Sequence, residues 1–300
     1  MIILMMPRHG LPDSAYYQVV QVTTFPDGET SVKVPRRLWH DDVTLVGECS
    51  TAAASEAFLA AAYEIASRGP KSFTVVNTYF RHARSERESD GCAALAKFQA
   101  RQWSGLGRVY PQVHLEFVDL HKDTILHYFE GSVVTNNLTT RHMLEEAVRK
   151  VLPKVLPKDM PVVYATVDSG GVYEARRLAK SAGVGFAHIE KRRLSGSETE
   201  VLGVAGDSVD GSCVVIFDDM IATGGSVVNA VKAYRARGAK AVYVAAVHGV
   251  FAGEAVTILK TLPGLDGLFV TDTHPNAVQA AESNPWITIV PVFPMFGVHV

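Results

Sequence analysis

Cysteine is scarce: the 300 residues hold only Cys49, Cys92 and Cys213, and no CxxC spacing. That excludes a disulfide framework and a cysteine-based zinc site, and it suits a reducing cytoplasm. Charge of one sign is lacking too. Lys and Arg number 29 against 31 Asp and Glu, a formal net charge of -2. No overall basic field marks a nucleic-acid partner, so any phosphate binding must come from local clusters. Long hydrophobic runs are missing. The opening MIILMMPRHG is apolar only as far as Met6, too short for a signal peptide or a membrane span, and reads as a first buried strand. No low-complexity tract occurs. No G-x-G-x-x-G follows an early strand, which argues against a dinucleotide-binding oxidoreductase.

What is present is apolar sequence in short, regular portions. Hydrophobic residues make up 47%, enough for two α/β domains of about 150 residues each. β-branched runs alternate with Ala-rich stretches. Strands are expected over 43–50, 72–80, 113–120, 161–168, 185–192, 212–219 and 240–251. Helices are expected over 55–69, 138–152, 173–183 and 226–239, the first capped by Ser55 and stopped by Gly69. This alternation predicts an α/β fold of mainly parallel sheets with helices on both faces. The helix over 138–152 and the prolines near 153–157 separate two halves, with a boundary near 139.

The segment VVIFDDMIATGGSVVNAV (214–231) is the most informative. A buried strand delivers Asp218 and Asp219 at its carboxyl end, the edge where open α/β sheets bind ligands. Thr223, Gly224, Gly225 and Ser226 then turn into a helix. The two glycines let a phosphate approach backbone N–H groups, the hydroxyls can bind it, and the helix start is electropositive. There is no Lys after the glycines, so this is not a Walker loop. The acids would repel a phosphate; vicinal sugar hydroxyls or a magnesium ion suit them.

The segment resembles the ribose 5-phosphate loop of type I phosphoribosyltransferases and of ribose-phosphate diphosphokinases, the phosphoribosyl pyrophosphate synthetases. Further segments resemble the diphosphokinase branch and together cover most of the chain. FPDGE (25–29), in isolation only a turn, is similar to that family's FxDGE loop. YFRHARSER (79–87) resembles its arginine-bearing ATP loop. FVDLHKDTILHYFEG (117–131) resembles its DLH segment and the following helix. VDSGG (167–171) is similar to PDxGG, and HIEKRR (188–193) to the DKRR segment that opens a catalytic loop.

The resemblance implies two tandem phosphoribosyltransferase-like domains, 1–139 with the ATP-side loops and 140–300 with the ribose 5-phosphate loop and the catalytic loop. It implies transfer of the β,γ-diphosphate of ATP to the 1-hydroxyl of ribose 5-phosphate, giving phosphoribosyl pyrophosphate and AMP. Phe25, Asp27, Glu29, Arg84 and His121 would bind ATP. Asp168, Asp218, Asp219 and residues Ala222 to Ser226 would bind the ribose phosphate. Mg2+ would lie near His121 and Asp168. Lys191, Arg193 and His121 would be catalytic, with the polar stretch 194–207 as a mobile lid. The implied protein is cytoplasmic and a homo-oligomer, dimer or hexamer, with neither a nucleic-acid nor a membrane partner.

Four departures from the family pattern bear on this. Ser85 and Glu86 stand where the family usually has Gln-Asp. Ala222 replaces an Asp. The region before FPDGE is short, and the chain stops soon after PVFPMF without a last helix. They raise two alternatives: a larger ribose 5-phosphate ester such as ADP-ribose as acceptor, and a non-catalytic regulatory subunit. A phosphoribosyltransferase that consumes the activated sugar would not require FPDGE, DLH and EKRR together.

Overall fold

The computed structural model describes residues 1–5, 17–35, 38, 40–88, 91–195 and 198–296, with the backbone alone described over 191–202 and at 294. The chain divides into two compact units, Met1–Thr139 joined by the residues from Phe293 on, and Thr140–Val292. Residues 293–296, which the sequence reading leaves with the second half, group with the first. Among the described residues no helix is long and apolar enough to cross a membrane. Cys49, Cys92 and Cys213 are free thiols. Burial pushes the Cys49 and Cys213 thiols up to about 12.

In the first unit, β1 (Ile2–Leu4), β2 (Tyr17–Val19), β5 (Asp42–Gly47), β6 (Ser72–Asn77), β7 (His114–Val118) and β8 (Val134–Leu138) form a wholly parallel sheet in the order β2-β1-β5-β6-β7-β8. β3 (Gln21–Thr24) and β4 (Thr30–Lys33) make a separate antiparallel hairpin. Helices α1 (Ala52–Ser67) and α2 (Leu95–Ser104) connect strands of the sheet. Helix α1 buries Ala57, Phe58, Ala61, Ala62, Ile65 and Ala66, a stripe of helical period. Its cap is Thr51, whose Oγ1 accepts from the Ala54 N–H at 3.0 Å, not the expected Ser55. The helix begins earlier than its apolar stripe does. Ser55 instead turns inward, accepting from Gln99 Nε2. Trp103 of α2 packs edge-on against Phe58 at 5.0 Å.

The second unit opens with α3 (Arg141–Val155). This helix lies wholly within the second unit. Leu144, Val148 and Leu152 lie one turn apart, are buried, and dock α3 onto the second sheet. Pro153 falls in its last turns, where the helix has few remaining bonds to lose. Then follow β9 (Val162–Thr166), α4 (Val172–Ala182), β10 (Gly185–Ser195), β11 (Glu198–Gly206), β12 (Cys213–Ile221), α5 (Gly225–Ala236), β13 (Ala241–Gly249), α6 (Ala255–Lys260), β14 (Gly267–Thr271), α7 (Pro275–Glu282) and β15 (Ile287–Val290). The seven strands run in the order β11-β10-β9-β12-β13-β14-β15, all parallel except for the β10–β11 pair. The expected polar lid is therefore largely a strand: Val201 pairs with Lys191 and Thr199 with Arg193. Residues 196 and 197 of it lie outside the described residues.

Candidate active site

The second sheet sets its chemistry on one edge. Residues Cys213 to Phe217 of β12 are all buried between β9 and β13, as expected for a central parallel strand covered on both faces. Pairing of β12 with β9 ends at Phe217 and Thr166, but pairing with β13 runs on to Ile221 and Gly249. Asp218 and Asp219 therefore lie within the strand, at the level where β9 has already turned away. That turn carries Asp168. Its Oδ1 accepts from the Gly170 N–H at 2.8 Å, and its carbonyl accepts from Thr166 Oγ1 at 2.6 Å.

The acids form one electrostatic group. The Asp219 N–H donates to Asp218 Oδ1 at 2.9 Å. Asp218 is held well above the usual carboxylate range, first by burial, then by Asp219, and also by Asp168. A cluster that penalises its own negative charge gains from hydroxyl donors or a cation.

Beyond the acids the strand runs into the glycine turn. The Ala222 carbonyl accepts from the Ala252 N–H at 2.9 Å, which anchors the turn. Gly224 has φ 83°, a left-handed value that favours glycine. It occupies the cap position of α5 with no side chain to offer, so the first N–H groups of α5 are uncapped. A Cβ on Gly225 would meet nothing within 4 Å, so this face of the turn is open. Thr223 and Ser226 are exposed beside it. The result is a helix start without a side-chain cap, next to a cluster of acids.

Strand β10 flanks β9 on the other side. It leaves β9 at the His188–Thr166 pair, and Lys191 lies three residues further, roughly 10 Å along the strand at about 3.3 Å per residue. The basic segment and the glycine turn thus rise from the same edge of one sheet, on either side of Asp168. The side chains of Lys191 and Arg193 lie outside the described residues.

The first unit gathers the other candidates in two places. Phe25 to Glu29 form the β3–β4 hairpin turn: Phe25 N–H donates to the Glu29 carbonyl at 2.8 Å, and Asp27 Oδ1 accepts from the Glu29 N–H at 3.1 Å. Phe25 is 49% exposed, high for an aromatic ring. Arg84 and His121 belong to adjacent strand ends. Arg84 closes a turn after β6, with Ser85 N–H on the His82 carbonyl at 2.8 Å. His121 follows β7. Asp119 before it has φ 43°, accepts from Thr139 Oγ1 at 3.2 Å, and is followed by Leu120, whose N–H donates to Asn137 Oδ1 at 2.9 Å. Non-glycine residues adopt such a φ only where surroundings enforce it. The expected helix after the DLH segment is the 3₁₀ stretch Asp123–Tyr128. Phe80, Phe117 and Phe129 pack beneath both loops, at 5.3 Å and 5.0 Å from Phe117.

Three features escaped the sequence reading. Ser85 is a cap for α2: its Oγ accepts from the Leu95 N–H and donates to the Ala93 carbonyl, both at 3.3 Å. The Glu86 carbonyl accepts from Tyr128. Behind the acid pair, buried His248 pairs in register with Met220 and hydrogen-bonds Thr273 through Nδ1 at 2.8 Å. The polar run VTDTHP after an apolar strand was the available signal for the last.

Comparison with known proteins follows the same lines. Residues 190–293 match the family model described as phosphoribosyl synthetase-associated domain. The chain is 32% identical over 275 residues to a ribose-phosphate pyrophosphokinase of Thermococcus kodakarensis, covering 91% of this chain and 89% of that one. It is 34% identical over 279 residues to the ribose-phosphate pyrophosphokinase of Vibrio parahaemolyticus, covering 89% and 82%. The crystal structure of phosphoribosylpyrophosphate synthetase from Mycobacterium smegmatis superposes with a TM-score of 0.81 at 24% identity, over 99% of this chain and 95% of that one.

Proposed function

The chain belongs to the ribose-phosphate pyrophosphokinase family, and we propose that it carries out that reaction through the two strand edges described above. It is a diphosphotransferase built from two phosphoribosyltransferase-like domains. It transfers the β,γ-diphosphate of ATP to the 1-hydroxyl of ribose 5-phosphate. The acceptor oxygen forms a bond to the β-phosphorus, the bond from that phosphorus to the oxygen bridging to the α-phosphate breaks, AMP departs and the hydroxyl proton is released.

The observation that carries this reading is the edge of the second sheet, where an uncapped α5 start adjoins an acid cluster. The 5-phosphate sits on the N–H groups and hydroxyls of residues 222–226. Asp218 and Asp219 take the ribose hydroxyls, which relieves the burial of Asp218 by supplying donors. Lys191 and Arg193 neutralise the transferring diphosphate, since phosphoryl transfer depends mainly on position and charge. The first domain supplies the ATP contacts through Arg84 and His121. Phe25, Asp27 and Glu29 act on the nucleotide of a neighbouring copy in a homo-oligomer, consistent with the exposure of that ring. The three free cysteines suit the cytoplasm.

Magnesium fits this donor set. Among the described residues no three His, Cys, Asp or Glu side chains are placed to hold a metal together. Mg2+ characteristically relies on substrate phosphates, waters and one or two side chains. We assign Asp168 to it on the acceptor side and His121 on the ATP side. When bound it neutralises phosphate oxygens. The larger acceptor that Ala222 suggested gains no support from the relatives.

The test is product analysis with the purified chain, ATP, ribose 5-phosphate and Mg2+. Equimolar AMP and phosphoribosyl pyrophosphate are expected. ADP with a monophosphorylated sugar, or no AMP at all, would refute the assignment.

A further inference from the structure

A cavity of about 530 Å³ opens between α1 and α2 of the first unit, beside the start of the turn that ends at Arg84. Small-molecule sites span roughly 300–1,000 Å³ and combine an apolar wall with a few convergent polar groups. Here the wall is Leu59 and Tyr63 of α1 and Phe98 of α2, and Phe98 is 58% exposed.

The polar groups are of both signs. Arg81, His82 and Glu56 line the cavity, and none of their side chains makes an ion pair or hydrogen bond among the described residues. His82 is held at φ 64°, a strained conformation of the kind that concentrates at functional sites. Burial, and secondarily Arg81, lower its basicity, so at neutral pH it serves as a hydrogen-bonding imidazole and Arg81 carries the positive charge.

Gln99 adds an unmet requirement. It lines the cavity and is only 3% exposed. Its Nε2 donates to Ser55 Oγ at 3.1 Å. The other end of the amide, Oε1, is buried and meets no donor. Buried carbonyls are nearly always partnered, so an orphan beside a cavity asks for a donor from a ligand.

These requirements together select a ligand class. A simple anion would satisfy Arg81 but would be repelled by Glu56 and would leave Gln99 Oε1 bare. A simple amine would satisfy Glu56 and Gln99 but not Arg81. We propose that the cavity binds a free α-amino acid with an apolar or aromatic side chain. Its carboxylate lies on Arg81 and His82, its ammonium group between Gln99 Oε1 and Glu56, and its side chain against Leu59, Tyr63 and Phe98. The inference does not rest on the diphosphokinase reading: Arg81 and His82 belong to the segment that carries Arg84, but no residue of the cavity has a role assigned there.

Titration calorimetry of the full chain with L-phenylalanine tests it, with ribose 5-phosphate and a non-hydrolysable ATP analogue at saturation to occupy the substrate loops. One phenylalanine per chain is expected. N-acetyl-L-phenylalanine and L-phenylalaninamide, each lacking one charge, should bind about tenfold more weakly, as should L-phenylalanine to R81A and E56Q, both substitutions at positions with some solvent exposure. Absence of binding to the native chain overturns the proposal, as it would if a second copy of the chain covered the cavity. So does equal binding of the two derivatives, or affinity unchanged in both variants.

Discussion

The Tyr128 hydroxyl donates to the Glu86 carbonyl at 2.6 Å, tying the stretch after His121 to the loop after Arg84. The two loops leave neighbouring strands, so this bond sets their spacing. Tyr128→Phe keeps the ring and removes the tether, at about 1 kcal/mol, or roughly fivefold in an equilibrium. We expect KM for ATP to rise severalfold while KM for ribose 5-phosphate stays put. A rise confined to ribose 5-phosphate would contradict the ATP assignment of both loops.

Gly224 and Gly225 should respond differently to alanine. Gly224 has φ 83°, so Gly224→Ala forces a side chain into left-handed backbone and should cost about 1 kcal/mol or more of stability. Gly225 begins α5 and faces open space. Gly225→Ala should leave the melting temperature unchanged or raise it, yet weaken ribose 5-phosphate by filling the phosphate's approach. Unaltered KM in a stable Gly225→Ala enzyme would remove the phosphate from this turn.

How much of this was legible in sequence depended on distance along the chain. The strand, acids, glycines and helix of 214–231 are contiguous, so local composition alone indicated them. Parallel sheets were legible because buried strands between helices read as apolar runs. What remained hidden were side-chain partners brought from afar. Ser85 looked like a departure from a nucleotide-binding loop, but its hydroxyl caps a helix that starts ten residues later. His248 and Thr273 are 25 residues apart and meet only because β13 and β14 are adjacent. The antiparallel β10–β11 pair was missed because a Gly- and Ser-rich composition outweighed the β-branched Thr199, Val201 and Val204 of 198–206.

The Ser85 cap yields a stability prediction separate from catalysis. Ala94, at the cap position of α2, makes no side-chain hydrogen bond, and Ser85 Oγ serves the Leu95 N–H instead. Ser85→Ala should lower stability by about 1 kcal/mol, typical of a lost cap. Denaturant unfolding reads this directly. A variant as stable as the native chain would mean that solvent satisfies that N–H equally well.

Asp218 makes stability depend on pH in a defined direction. Its folded-state pKa is raised above the unfolded value by burial, by Asp219 and by Asp168. The folded chain therefore holds a proton that the unfolded chain has lost, and stability falls as pH rises from about 3.9, the unfolded value, through the folded pKa. Asp218→Asn removes that penalty. The variant should melt higher than the native chain at pH 7, with the gap narrowing as pH falls toward 4. It should also bind ribose 5-phosphate poorly, since the amide replaces a ribose ligand. A gap that widened on acidification would mean that the folded state favours the Asp218 carboxylate, and the acid cluster would then need a different account.

Lys191 and Arg193 lie on β10 beyond the end of its pairing with β9, and their assigned partner is a charge that grows only during transfer. Groups of that kind act on the transition state more than on bound substrate. Lys191→Ala and Arg193→Ala should each lower kcat by about 10²–10³-fold, equivalent to roughly 3–4 kcal/mol, with much smaller changes in KM for either substrate. Melting temperature should hold, because the role assigned to both is exerted on the transferring diphosphate. If KM for ATP rose while kcat survived, the two cations would be holding the ground-state nucleotide instead of the charge that develops at the β-phosphorus.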